Sequence, residues 1–129
     1  ELIGAKNVLC VPHLGASTPE AEDNCAAMAA RELVDYIENG NVTHSVNFPD
    51  VSAPRAAAAR LCIMHENAEG VINAITSVIS GEGINIANLL DKSKKDKAYM
   101  SRALNSTPSG TAVKAIEGLK GISRVRLLA

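Results

Sequence analysis

The sequence predicts an α+β fold in two parts, a strand–helix piece of an α/β sheet followed by a βαββαβ unit. Three observations predict it. The continuous apolar run Val8-Leu9-Cys10-Val11 halts at Pro12 and gives way to a helix start. From Arg60 onward, alternating runs and helical stripes follow one another as strand, helix, strand, strand, helix, strand. Between these parts, residues 41–59 carry Pro49 and Pro54 as punctuation and an alanine run without a packing signal.

Taken in order, Val8–Val11 is apolar on both faces, as a buried parallel strand would be. Ser17 or Thr18 is the N-cap of the next element, Pro19 its first helical residue, and Glu20 and Glu22 suit its positive end. That helix is expected to run to Glu38, with Ala21, Cys25, Met28, Ala29, Leu33 and Ile37 as its inward stripe, and Asn39-Gly40 ends it. After the connector, Leu61, Ile63 and His65 alternate with Cys62 and Met64 in a strand. Gly70 opens a helix with Val71, Ile75, Val78 and Ile79 inward, and Gly81-Glu82-Gly83 closes it. A strand from Ile84 to Leu90, a polar tip over 91–97 and a strand from Ala98 to Leu104 follow. Thr107-Pro108-Ser109-Gly110 introduces a helix with Val113, Ile116 and Leu119 inward, and Ile122–Leu128 is the last strand. This order is the split-βαβ, ferredoxin-like arrangement. Two helices cover one face of its sheet, and the other face is expected to be bare.

Composition narrows the function. The 129 residues suffice for one ordinary domain, or a small domain plus part of another. With one Phe, two Tyr and no Trp, the core has to be aliphatic, and few rings are available to stack on bases. A net charge of −1 gives no field for a polyanion, so neither nucleic acid nor a membrane surface is an expected partner. The basic run Lys92–Lys97 reads as a solvated hairpin tip. Cys10, Cys25 and Cys62 match no disulfide or C-x-x-C pattern, which fits reduced thiols in a cytoplasm. No His or Cys pair has metal-ligand spacing, so no metal site is expected. The chain opens at Glu1 directly into apolar sequence, and it is read as a piece of something longer.

Val11-Pro12-His13-Leu14-Gly15-Ala16-Ser17-Thr18, with Glu20-Ala21 after it, resembles the last signature of the D-2-hydroxyacid dehydrogenases. In that family the motif ends a strand of the Rossmann-type dinucleotide-binding domain. The resemblance implies that His13 is the catalytic acid/base, taking the hydroxyl proton as hydride leaves the same carbon. It also implies that His13, Leu14, Gly15 and Ala16 line the nicotinamide pocket of an NAD enzyme. The family's substrate-binding Arg, its His-pairing Glu and its Gly-rich loop have no counterpart here. This chain alone is therefore expected to be inactive and not to hold NAD.

A second resemblance covers Arg60 to Leu128 and is to the ACT domain. It rests on His65-Glu66-Asn67-Ala68-Glu69-Gly70-Val71 and Gly83-Ile84-Asn85-Ile86-Ala87. These are similar to the H-E-N-x-P-G-V and G-(V/I)-N-I-A motifs of dehydrogenases in L-serine biosynthesis that end in a serine-sensing ACT domain. The connector Val46-Asn47-Phe48-Pro49 and the ending Arg126 to Leu128 agree with it. The resemblance implies homo-oligomers through ACT–ACT sheet pairing, with an amino acid, L-serine in those proteins, held at the seam by His65, Asn67 and Asn85. An Asn amide offers donors and an acceptor and so serves either end of a zwitterion. Glu69 departs from the motif's Pro, which loosens the turn and sets a negative charge near a docking carboxylate. Two alternatives stay open: an ACT dimerisation module without ligand, and the tail of another ACT-containing 2-hydroxyacid dehydrogenase. The expected organisation is 1–48 as the end of the dehydrogenase region, 49–59 as linker and 60–129 as ACT domain.

Overall fold

Thr18 starts the first helix: its Oγ1 accepts from the Ala21 amide at 3.2 Å, and α1 runs Pro19–Asn39. The computed structural model describes residues 2–55 and 57–129. These fall into two compact units, one ending at Arg31 and the other running from Glu32 to Ala129.

In the first unit, residues 2–18 are turns and irregular chain. The strand expected over Val8–Val11 does not form, and Leu9 stands 88% exposed. The physical reason is that a strand apolar on both faces needs a ladder partner on each side and cover above and below. The expected stripe of α1 is left uncovered: no residue of the helix is buried, and Met28, Leu33 and Ile37 stand exposed.

The second unit is an α+β fold with the expected βαββαβ order. It contains β1 (Ala59–Glu66), α2 (Val71–Gly81), β2 (Ile86–Lys94), β3 (Lys97–Leu104), α3 (Gly110–Glu117) and β4 (Ile122–Leu128). The sheet order is β2-β3-β1-β4 with antiparallel neighbours throughout, which is the ferredoxin-like topology. Strand β1 lies inside, running from Ala59 opposite Leu104 to Glu66 opposite Lys97, and β2 and β4 are the edges. The β2–β3 hairpin is longer than the expected polar tip allows, because pairing continues to Lys94–Lys97. Lys95 takes a φ of +58°, closing the turn in two residues.

One sheet face packs Ala59, Leu61, Ile63, Met100 and Leu104 against Val71, Ile75 and Ile79 of α2 and Ile116 of α3. Ser109 caps α3 by accepting from the Ala112 amide at 3.1 Å. The opposite face is not bare as expected. Val42, Val51 and Phe48 of the connector, with Tyr36 of the last turns of α1, pack onto Cys62, Met64, Leu90, Tyr99 and Leu128. The cause is a set of polar anchors that periodicity does not reveal. Arg60, buried among apolar neighbours, donates to the carbonyls of Asn39 (2.7 Å), Ala53 (3.0 Å) and Pro54 (2.6 Å) and to Asn41 Oδ1 (3.1 Å). Arg126 donates to the carbonyls of Tyr36 and Ile37 at 3.0 and 3.1 Å, capping the end of α1, and its guanidinium lies 4.4 Å from the Tyr36 ring. Residues 40–55 thus form a strap across the sheet. The last turns of α1 meet this sheet face through Tyr36, while Leu33 and Ile37 of the expected stripe stay exposed.

Candidate functional site

Residues matching the effector motif come from the end of β1 and the loop after it, and from the turn that precedes β2. His65 ends β1 on the helix-covered side of the sheet, and its side chain is 2% exposed. Its Nδ1 lies 2.8 Å from the Glu66 carbonyl and its Nε2 3.2 Å from Asp91 Oδ1. Both partners accept, so the ring serves both only when each nitrogen carries a proton. Asn67 is exposed two residues on. Its backbone N–H donates to the Asp96 carbonyl at 2.8 Å and its Nδ2 to the Lys95 carbonyl at 3.1 Å, fastening this loop to the hairpin turn. Gly70 then takes a φ of +83° to turn the chain into α2, and no side chain caps that helix start. The first amides of α2 are therefore open to an anion from outside.

Asn85 lies elsewhere. It precedes β2, is exposed, and accepts at its carbonyl from the Asn105 amide at 3.2 Å. Ile86 pairs with Leu104 while Lys94 pairs with Lys97. Asn85 and His65 therefore sit at opposite ends of a nine-residue strand, roughly 27 Å apart along it at the usual rise. One copy of the chain brings His65 and Asn67 together but not Asn85.

Glu69, which stands in the position of the motif's proline, lines a groove of about 420 Å³ with Glu66, Gly70, Val71, Lys120 and Gly121. His65 and Asn67 do not line that groove.

The expected catalytic residue His13 and its neighbours Leu14, Gly15 and Ala16 lie exposed in the irregular chain ahead of α1. Neither ion pair among the described residues, His44–Glu32 or His65–Asp91, involves His13. These four residues have no adjoining strand crevice and no phosphate loop. The described residues do not by themselves build a dinucleotide site.

Two polar residues on the helix-covered face of the sheet escape a motif-based reading. Asp91 falls within the expected tip but belongs to β2, on the face toward α2. Arg102, fully buried, holds an inward position of β3 between Met100 and Leu104. A charged residue breaking the apolar alternation of 98, 100 and 104 was the one signal available in the sequence. Among the described residues no group of His, Cys, Asp and Glu is arranged to hold a metal.

The chain is 35% identical over 124 residues to D-3-phosphoglycerate dehydrogenase of Escherichia coli strain K12, covering 95% of this chain and 30% of that protein. The same-named protein of Haemophilus influenzae is 31% identical over 123 residues, with 95% and 30% covered. D-3-phosphoglycerate dehydrogenase 1 of Saccharomyces cerevisiae is 32% identical over 111 residues, with 82% and 23% covered. The chain thus spans less than a third of the length of these relatives. No protein-family model matches it. Among solved structures, the ACT domain from GTP pyrophosphokinase of Chlorobium tepidum has a TM-score of 0.48 at 23% identity, covering 54% of this chain and 95% of that one. Over nearly its whole length, then, the chain is related to the D-3-phosphoglycerate dehydrogenases, whose C-terminal part it matches.

Proposed function

We propose that the chain is the C-terminal regulatory part of an NAD-dependent D-3-phosphoglycerate dehydrogenase, an enzyme oxidising 3-phosphoglycerate to 3-phosphohydroxypyruvate on the way to L-serine. Residues 60–129 are its ACT domain, binding an amino acid, L-serine by resemblance, at a seam between two copies. His13 is the acid/base of the parent enzyme, with Leu14, Gly15 and Ala16 beside the nicotinamide. NAD supplies the hydride acceptor there. This chain contributes only the imidazole that takes the hydroxyl proton, and it is inactive alone. Among the described residues no helix is long and apolar enough to cross a membrane, and we assign the protein to the cytoplasm.

The observation that carries the sensor reading is the separation of Asn85 from His65 and Asn67 along the open edge β2. Two β2 edges pairing antiparallel about a two-fold axis lay the start of one strand beside the end of the other. Each seam then joins His65 and Asn67 of one copy to Asn85 of its mate, giving two sites per dimer. Pairing through the β4 edge leaves them apart. The strap covers the sheet face opposite the helices, so edges are where copies meet. The Lys92 and Lys94 ammoniums fold back onto the strap carbonyls of Asp50 (2.8 Å) and Ser45 (3.1 Å) instead of guarding the edge.

Effector binding at the seam ties two subunits together. It shifts the catalytic domains by no more than its differential affinity for their two arrangements. The competing reading, association without ligand, draws on Glu69 and on the intramolecular bonds that already occupy His65 and Asn67.

Calorimetry with L-serine and glycine on the dimeric chain decides between them. Heat at millimolar ligand or below is expected, and its absence with the dimer intact removes the sensor. The shared seam has its own test. Asn67→Ala and Asn85→Ala chains each lose binding, whereas their mixed dimer regains one site of the two. Failure of the mixture to recover would show that Asn67 and Asn85 do not complete one site across two copies.

A further inference from the structure

Under α2 the sheet carries polar side chains where its alternation calls for apolar ones. Arg102 is 0% exposed, yet no carboxylate among the described residues pairs with it. Its Nε meets Met100 Sδ at 2.9 Å and its Nη2 donates to Thr76 Oγ1 at 2.6 Å, while Nη1 has no partner. The contact with Met100 shows that the side chain runs back along β3, toward the end of the sheet where His65 lies. Met100 is the register partner of Asp91, so the guanidinium is led toward the Asp91–His65 pair. Asp91 gives Oδ1 to His65 and has no described partner at Oδ2. A buried cation with an open N–H thus lies close to a carboxylate with an open oxygen. Burying the Arg102 guanidinium without full compensation is unfavourable, and no group of the described fold supplies the partner that its Nη1 lacks, whereas Asp91 is partly exposed at the sheet end.

We propose that Arg102 and Asp91 form the charged floor of the amino-acid site, Nη1 of Arg102 taking the effector's carboxylate and Oδ2 of Asp91 its ammonium. The proposal rests on the amino-acid-binding reading above and deepens it. His65, Asn67 and Asn85 offer mostly neutral groups, whereas a zwitterion presents two full charges. His65, buried against Asp91, becomes a positioning residue that aims the carboxylate. Entry is from the β2 edge. There Leu89, the register partner of Arg102, stands 39% exposed. The ligand class is a small α-amino acid with both charges intact. Compounds lacking either one are rejected, because the corresponding buried group is left unpaired.

Calorimetry on the 129-residue chain with L-serine, L-serinamide and 3-hydroxypropanoate tests this. L-serine is expected to bind at least about tenfold tighter than either analogue, the loss for one charge-assisted hydrogen bond. Arg102→Lys should weaken L-serine about tenfold and narrow the serine-to-serinamide ratio. Asp91→Asn should narrow the serine-to-3-hydroxypropanoate ratio instead. Equal binding of L-serine and L-serinamide by the unaltered chain, or unchanged ratios in folded variants, would overturn the proposal while leaving the sensor standing. Absence of any amino-acid binding removes both. The analogue series on the unaltered chain decides even where a variant does not fold.

Discussion

The Tyr99 hydroxyl donates to the Gly40 carbonyl at 2.7 Å in a buried hydrogen bond that joins the middle of the sheet to the turn ending α1. Burial, then the neighbouring Cys62, pushes the phenol well above its usual range, so it stays a donor at any ordinary pH. Tyr99→Phe leaves the Gly40 carbonyl with only the long 3.9 Å contact from Cys62 Sγ. The expected loss is about 1–2 kcal/mol in urea unfolding. An unchanged midpoint would mean that water replaces the phenol.

Gly40 is constrained twice over. Its φ is +70°, and an added Cβ would lie 2.3 Å from Cys62 Sγ and 3.1 Å from Leu128 Cδ1. Gly40→Ala should cost about 2–3 kcal/mol, part backbone strain and part overpacking. Adding Cys62→Ala should return the overpacking part and leave the strain, so the double variant falls between. Strict additivity of the two single changes in thermal unfolding would contradict the contact.

Arg60 holds the strap through four acceptors. Arg60→Met should free residues 40–55 without unfolding the sheet. The Val42 and Val51 amides, bonded to each other's carbonyls at 2.8 and 2.9 Å, report it. Their hydrogen exchange is expected to speed by about thirtyfold, with β1 and β3 amides little changed. Equal acceleration everywhere would show that strap and sheet open as one.

His44 provides a pH readout. The Glu32 carboxylate, 2.6 Å from its Nδ1, holds the imidazole above 6.5, first through the hydrogen bond and then through charge, with Asp50 adding to it. Because the folded value is the higher one, this contact contributes fully below the unfolded value of 6.5 and is lost as pH rises through the folded value. The group is open to solvent, so the effect is small and weakens with salt. A proton NMR titration should place His44 above 6.5, and Glu32→Gln should bring it back toward that value. A His44 that titrates identically in both chains would deny the contact in solution.

The sheet and its helices were legible because their signal is local. Leu61 and Ile63 alternate with residues of the other sheet face, Val71, Ile75 and Ile79 recur at helical spacing, and Ser109 sits where a cap belongs. The strand at 8–11 was misread for the same reason: an apolar run reports what a segment would bury, not whether ladder partners exist. The effector residues were found through a motif, and the βαβ crossover already puts the end of β1 and the start of β2 at opposite ends of the sheet; what only the structure showed is that β2 is an open edge.

The sequence by itself determined the order of elements, the aliphatic core and the relationship to the C-terminal part of D-3-phosphoglycerate dehydrogenases. Each follows from periodicity, turn residues or identity along the chain. Only the tertiary structure decided that the connector straps the second sheet face, that Arg60 and Arg102 are buried charged residues, and that Asp91 turns toward His65. The free energy of a long charged side chain depends on acceptors and charges supplied by segments far away in sequence. Arg60 found three in the strap and one at the end of α1, and Arg102 was left with its Nη1 unpartnered.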